Sequence, residues 1–146
     1  MASTSTWTRS LKLIDANVVI YSIGRSHEYR EPSRRVMILA GEGQLEATLD
    51  TEALQEIIHF YHRRGRTETA LAVFDDLMRT FPVPLGVTAR TVVVARDILS
   101  AYSSLQARDA VHAAIVLEHG LEGIITADRG FDGIEGVARF DPKEFA

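Results

Sequence analysis

Two kinds of block alternate along this chain. Short, nearly unbroken apolar runs read as buried strands: Leu11 to Ile14, a weaker Leu45 to Leu49, Ile124 to Thr126, and Val137 to Phe140. Val83-Pro84-Leu85-Gly86-Val87 reads as a further short strand, with Pro84 placing it at an edge or giving it an irregular start. Between these runs the apolar positions return every three or four residues. That spacing predicts helices over Asn17 to Ile23, Ser33 to Ala40 and Thr67 to Arg79. Gly41-Glu42-Gly43 stops the second of them. A further helix is capped by Asp50 or Thr51, carries Ala53, Leu54, Ile57, Ile58 and Tyr61 on one face, and ends at Gly65. Thr88 caps a helix running to about Tyr102, and another spans Ala107 to His119 before Gly120. Strands alternating with helices, with more helix than sheet, predict a parallel α/β sandwich.

Four acidic residues break this pattern where they cost most. Asp15 closes the first apolar run and Asp128 the last strong one, while Glu56 and Asp109 interrupt helices on their apolar sides. In open parallel sheets the strand carboxyl ends border the ligand crevice. Asp15 and Asp128 fall there, and Asp109 joins them if its helix follows the usual right-handed crossover. Glu56 has to point inward past Thr51. Three of the acids have ready ordinary alternatives: a helix cap for Asp15, a macrodipole partner for Asp109 and an Asx turn for Asp128. Glu56 is harder to dismiss, because Leu54, Ile57 and Ile58 straddle the apolar stripe around it. Coincidence of all four ordinary readings is harder to accept than any one. Two like charges 4 Å apart repel by about 1 kcal/mol in water and about 4 at an effective dielectric of 20. A hard divalent cation such as Mg²⁺ or Mn²⁺ reverses that sign. Paired ions can then bind a phosphodiester and generate hydroxide from water, so no protein nucleophile is needed.

Around these four stand lesser candidates. Asn17 can hydrogen-bond a carboxylate or a cation-bound water, and Thr126, two residues before Asp128, can hold a carboxylate in place. Asp132 is a candidate fifth acid, and Glu52 reads as a helix N-terminal acid. Glu56, His59 and His62 drift around their helix and lack the spacing of zinc peptidases. His112, one turn after Asp109 among alanines, reads as a packed helix histidine.

Bulk properties narrow the class. A length of 146 residues, with 46% hydrophobic and 25% charged, fits one soluble domain. No apolar run is long enough for a membrane span, and the first residues lack a signal-peptide core, so a cytoplasmic protein with no membrane partner is expected. Absence of cysteine excludes disulfides, thiolate zinc sites and a cysteine nucleophile. The net charge of −4 argues against a protein that coats nucleic acid generally. Yet all but two of the basic residues (Lys12 and Lys143) are arginines, the better bidentate phosphate partner. They cluster at Arg25, Arg30, Arg34 and Arg35, and again at Arg63, Arg64 and Arg66.

Four segments in order resemble the PIN-domain ribonucleases, specifically the VapC toxins of type II toxin–antitoxin pairs. They are Leu13-Ile-Asp15-Ala-Asn17-Val-Val, Thr51-Glu-Ala-Leu-Gln-Glu56-Ile-Ile, Ala107-Arg-Asp109-Ala-Val-His-Ala-Ala and Ile125-Thr126-Ala-Asp128-Arg-Gly-Phe131. The resemblance covers nearly everything after Leu11. It implies a single domain over 1–146, with residues 1–10 as a loosely ordered extension, folded as a three-layer α/β/α sandwich around a central, mostly parallel sheet. It also implies that Asp15, Glu56, Asp109 and Asp128 bind Mg²⁺ or Mn²⁺ and catalyse RNA hydrolysis, with Asn17 and Thr126 in support. Implied partners are an RNA substrate, a second copy in a homodimer, and a VapB-like antitoxin whose C-terminal segment lies near the acids. Ala16 stands where threonine is frequent, and Gly130 where an acidic or polar residue is common.

Two other classes are open to the residues alone. A haloacid-dehalogenase-like phosphatase would use Asp15 as nucleophile but needs an aspartate two residues on, where Asn17 stands. A non-enzymatic module would use the acids only to receive a partner's arginine.

Overall fold

The alternation of Leu13 with Ile14 and of Ile124 with Ile125 shapes the whole molecule. Successive strand side chains point to opposite faces. Because all four are fully buried, the sheet must be covered on both sides. The computed structural model describes residues 10–146; apart from Ser10, the expected N-terminal extension lies outside them. Strand β1 (Lys12–Ile14) pairs in parallel with β2 (Ala47–Thr48) on one side and β3 (Gly123–Ile125) on the other, and β3 pairs with β4 (Arg139–Phe140). The order is β2-β1-β3-β4, all parallel.

Ile14 and Ile125 face one core with Val18, Val36, Leu49, Ile57, Tyr61 and Leu77. Four helices supply that layer: α1 (Ala16–Ile23), α2 (Arg30–Gly41), α3 (Thr51–Arg63) and α4 (Thr67–Thr80). Leu13 and Ile124 face a second core with Ala95, Ile98, Ala113 and Ile115 from α5 (Ala89–Ala101) and α6 (Ala107–His119), and Phe131 from the turn Arg129–Phe131. The expected three-layer α/β/α sandwich with its parallel centre is therefore the observed fold. Among the described residues no helix is long and apolar enough to cross a membrane.

Most element boundaries follow local chemistry. Asp50 accepts from the Ala53 amide to cap α3, and Thr88 and Thr91 form a reciprocal capping box on α5. Gly120, at φ 60°, ends α6 in the left-handed conformation that glycine adopts without penalty. Two expectations need correction. Helix α2 starts at Arg30, not Ser33, because Pro32 sits in the first turn, where its missing amide costs no helical bond. Residues Val83 to Val87 form no strand. Only one bridge joins Leu85 to Asp50, since Pro82 and Pro84 present no amide to a ladder and Val83 is exposed.

Candidate active site

The carboxyl ends of β1 and β3 open onto a cavity of about 720 Å³ whose lining includes Asp15, Asn17, Glu56, Asp109 and Asp128. Local geometry explains how each acid arrives there. Asp15 follows β1 directly, and its amide donates to the Ile125 carbonyl, continuing the sheet by one residue. It occupies the N-cap position of α1, yet its side chain makes no capping bond. Instead Oδ2 accepts from Thr126 Oγ1 at 2.8 Å. Asp128 combines two roles: Oδ1 accepts from the Gly130 amide at 2.8 Å in an Asx turn, and the residue also lines the cavity. Asp109 enters from the first turn of α6 and Glu56 from the second turn of α3.

Thr126 is the hub of the strand side. Its hydroxyl donates to Asp15 while accepting from Asn17 Nδ2 and from the Asp128 amide, both at 3.0 Å. One donor and two acceptors are all a hydroxyl possesses, so its orientation is fully determined. Asn17 Oδ1 is buried at the cavity and has no hydrogen-bond partner.

Electrostatics show the crowding. Burial pushes the Asp109 carboxyl up from 3.8 to about 6, and the charges of Asp15 and Asp128 add to that rise. Burial also raises Asp15, with a smaller push from Glu56; the charge of His112 and the Thr126 hydrogen bond oppose it. Glu52, also on the cavity wall, is raised by burial and by Glu56. Positive charge reaches the rim from Arg63, Arg64 and Arg108. Arg64 lies over the Phe60 ring, 3.6 Å from its centroid. The group Arg25, Arg30, Arg34 and Arg35 does not line the cavity, and Arg34 instead binds the Ser22 carbonyl and Glu31. Asp132 is also elsewhere: its exposed carboxylate pairs with Arg139 at 2.8 Å.

Two residues read as structural in the sequence are part of this constellation. His112 is fully buried, with Nδ1 2.6 Å from Asp50 Oδ2 and Nε2 2.8 Å from Glu56 Oε1. Burial alone would depress its imidazolium, but the hydrogen bonds to Asp50 and Glu56, with the charges of Asp50 and Asp15, outweigh that and hold it well above the ordinary value. The available signal was spacing. His112 lies three residues after Asp109, hence on the same helix face, and Asp50 immediately precedes the helix bearing Glu56.

The site suits a hard divalent cation. Carboxylate oxygens dominate its donor set, and the unpartnered Asn17 Oδ1 adds a neutral oxygen. Asp15, Glu56 and His112 each place one potential ligand atom within 4.8 Å of the others.

Comparison with known proteins agrees with the fold. Residues 12–137 match the sequence profile of the PIN domain. The chain is 35% identical over 127 residues to ribonuclease VapC13 of Mycobacterium tuberculosis, covering 87% of this chain and 97% of that protein. It is 33% identical over 118 residues to ribonuclease VapC23 of the same species, covering 79% and 90%. Among solved structures, DNA-bound VapBC from Salmonella typhimurium superposes with a TM-score of 0.71 at 19% identity, covering 92% of this chain and 98% of that one. FitAcB from Neisseria gonorrhoeae gives 0.68, also at 19%, over 91% and 98%. At such identities the structural likeness concerns the fold.

Proposed function

This chain belongs to the PIN-domain family, among the VapC ribonucleases, and from that membership we propose that it is a divalent-cation-dependent endoribonuclease acting as the toxin of a toxin–antitoxin pair. The observation that carries the proposal is the convergence of Asp15, Glu56, Asp109 and Asp128, distant in sequence, on one cavity. These four would hold Mg²⁺ or Mn²⁺. Such a cation, when bound, polarises a phosphodiester and lowers the pKa of water enough to make it a nucleophile at neutral pH.

The chain's own residues then orient and bind. Thr126 holds Asp15 in one rotamer through the 2.8 Å bond, and Asn17 holds Thr126. Arg63 and Arg108 sit on the cavity wall, where guanidinium groups can take phosphate oxygens in bidentate fashion. Tyr21 and Phe60 line the same wall and offer ring faces against which an unpaired base can stack. An RNA strand crossing the cavity would thus meet basic, aromatic and acidic groups. The VapBC complexes among its structural neighbours support a VapB-like antitoxin as partner, and family membership supports a homodimer working in the cytoplasm.

Purified protein should cleave RNA with Mg²⁺ or Mn²⁺ and not with EDTA. Asp15→Asn and Asp109→Asn should retain the fold by circular dichroism and lose cleavage. Full activity in both variants would refute these roles.

A further inference from the structure

We propose that His112 is a positioning residue: a buried Asp50–His112–Glu56 relay fixes Glu56 at the acidic cavity, and His112 does not itself coordinate the cation. This rests on the cation-binding reading above. The alternative is that His112 ligates together with Asp15 and Glu56, since all three offer an atom within 4.8 Å of one another.

The geometry favours positioning. Both ring nitrogens face carboxylate oxygens, Nδ1 toward Asp50 Oδ2 at 2.6 Å and Nε2 toward Glu56 Oε1 at 2.8 Å. Each ring nitrogen is thus already occupied by a carboxylate oxygen at hydrogen-bond distance, one on either side of the ring. Asp15 Oδ1 lies farther from Nε2, at 3.7 Å. His112 is completely buried and absent from the cavity lining, whereas Asp15, Glu56, Asp109 and Asp128 all line it. The imidazole therefore sits behind the acids.

The anchor of the relay is well fixed. Asp50 is fully buried, and its two oxygens divide the work. Oδ1 accepts from the Ala53 amide at 2.8 Å and caps α3, while Oδ2 takes the imidazole. The flanking backbone is tied to Leu85 by two bonds of 2.9 Å, from the Thr51 amide to the Leu85 carbonyl and from the Leu85 amide to the Leu49 carbonyl. One carboxylate thus joins the start of α3, which bears Glu56, to α6, which bears Asp109 and His112. Glu56 Oε1 is committed to this relay. Its Oε2 faces the partly exposed Arg108 Nε at 3.9 Å, beyond hydrogen-bond range, and is the oxygen left to a cation.

If His112 acts through Glu56, its removal must matter only while Glu56 is present. Mn²⁺ affinity, measured by calorimetry on the full chain, is compared for the parent, His112→Gln, Glu56→Gln and the double variant. His112→Gln alone should weaken binding by about 10- to 100-fold, the usual effect of losing a group that orients a ligand. In the Glu56→Gln background the same change should cost less than about threefold. Electron spin-echo modulation from the bound Mn²⁺ should show no directly coordinated imidazole nitrogen. Equal losses in both backgrounds, or a coordinated nitrogen signal abolished by His112→Gln, would overturn the proposal. Should His112→Gln not fold, His112→Asn takes its place in the cycle, because the shorter amide can donate to Asp50 from near the Nδ1 position but does not reach Glu56. Coupled losses in a protein that cleaves no RNA would leave this inference standing and remove the nuclease reading. Failure of the parent to bind Mn²⁺ would overturn both.

Discussion

Replacing Asp109 with asparagine should make the cation-free protein more stable, although it removes a residue placed at the heart of the site. The Asp109 carboxyl is raised from 3.8 to about 6 by burial and by Asp15 and Asp128. At about 1.36 kcal/mol per pH unit, ionising it in the folded protein costs about 3 kcal/mol more than in the unfolded chain. The carboxylate borders an open cavity, so solvent screening brings this to roughly 1–2 kcal/mol. The sign follows from linkage. Between the two pKa values the folded state binds the proton and the unfolded state releases it, so stability rises as pH falls through about 6 toward 3.8. Asparagine removes the penalty, and near this chain length roughly 2–4 °C accompanies each kcal/mol. Asp109→Asn should therefore melt about 3–6 °C higher than the parent at pH 7.5 in EDTA. At pH 5 much of the parent's carboxyl is protonated when folded, and the gap should shrink by about half. Saturating Mn²⁺ should reverse the order, because only the parent gains full binding energy. Thermal denaturation at two pH values, with and without Mn²⁺, reads all of this. A variant less stable than the parent in EDTA at pH 7.5, or a gap unchanged at pH 5, would refute the argument that burial and neighbouring charges penalise the ionised carboxyl.

Two further perturbations probe the support and the rim. Thr126→Val preserves shape but strands the Asn17 amide and the Asp128 N–H while releasing Asp15. It should cost about 1–3 kcal/mol in denaturant titration and lower RNA cleavage by about 10- to 100-fold; unchanged cleavage would show that Asp15 needs no such support. Arg63→Ala should raise KM for RNA with little change in kcat, and flatten the salt dependence of binding by roughly one phosphate contact. An unaltered salt slope would place the strand elsewhere.

The parts of this molecule legible in its sequence are those set by local pattern. Doubly buried strands such as Leu13-Ile14 and Ile124-Ile125 appear as short apolar runs, and the end of α6 is legible because Gly120 stops it. The four acids were visible because each violates the apolar pattern of its element. The Asp50–His112 pair was not, because neither residue breaks a local rule: an aspartate before a helix is an ordinary cap, and a histidine among alanines an ordinary core residue. Asp50 is a cap, and the same carboxylate also holds the imidazole, which only tertiary packing of α3 against α6 reveals. Asp132 shows the converse. In the sequence it reads as a candidate fifth acid, but the turn at Arg129–Phe131 carries it to Arg139.

Anomalous diffraction from crystals grown with Mn²⁺, collected on either side of the manganese absorption edge, addresses the core claim most directly. The account predicts manganese density bound among Asp15, Glu56, Asp109 and Asp128, and its loss in Asp15→Asn. Manganese bound only at other surface acids, or a cavity without anomalous signal at saturating Mn²⁺, would contradict it.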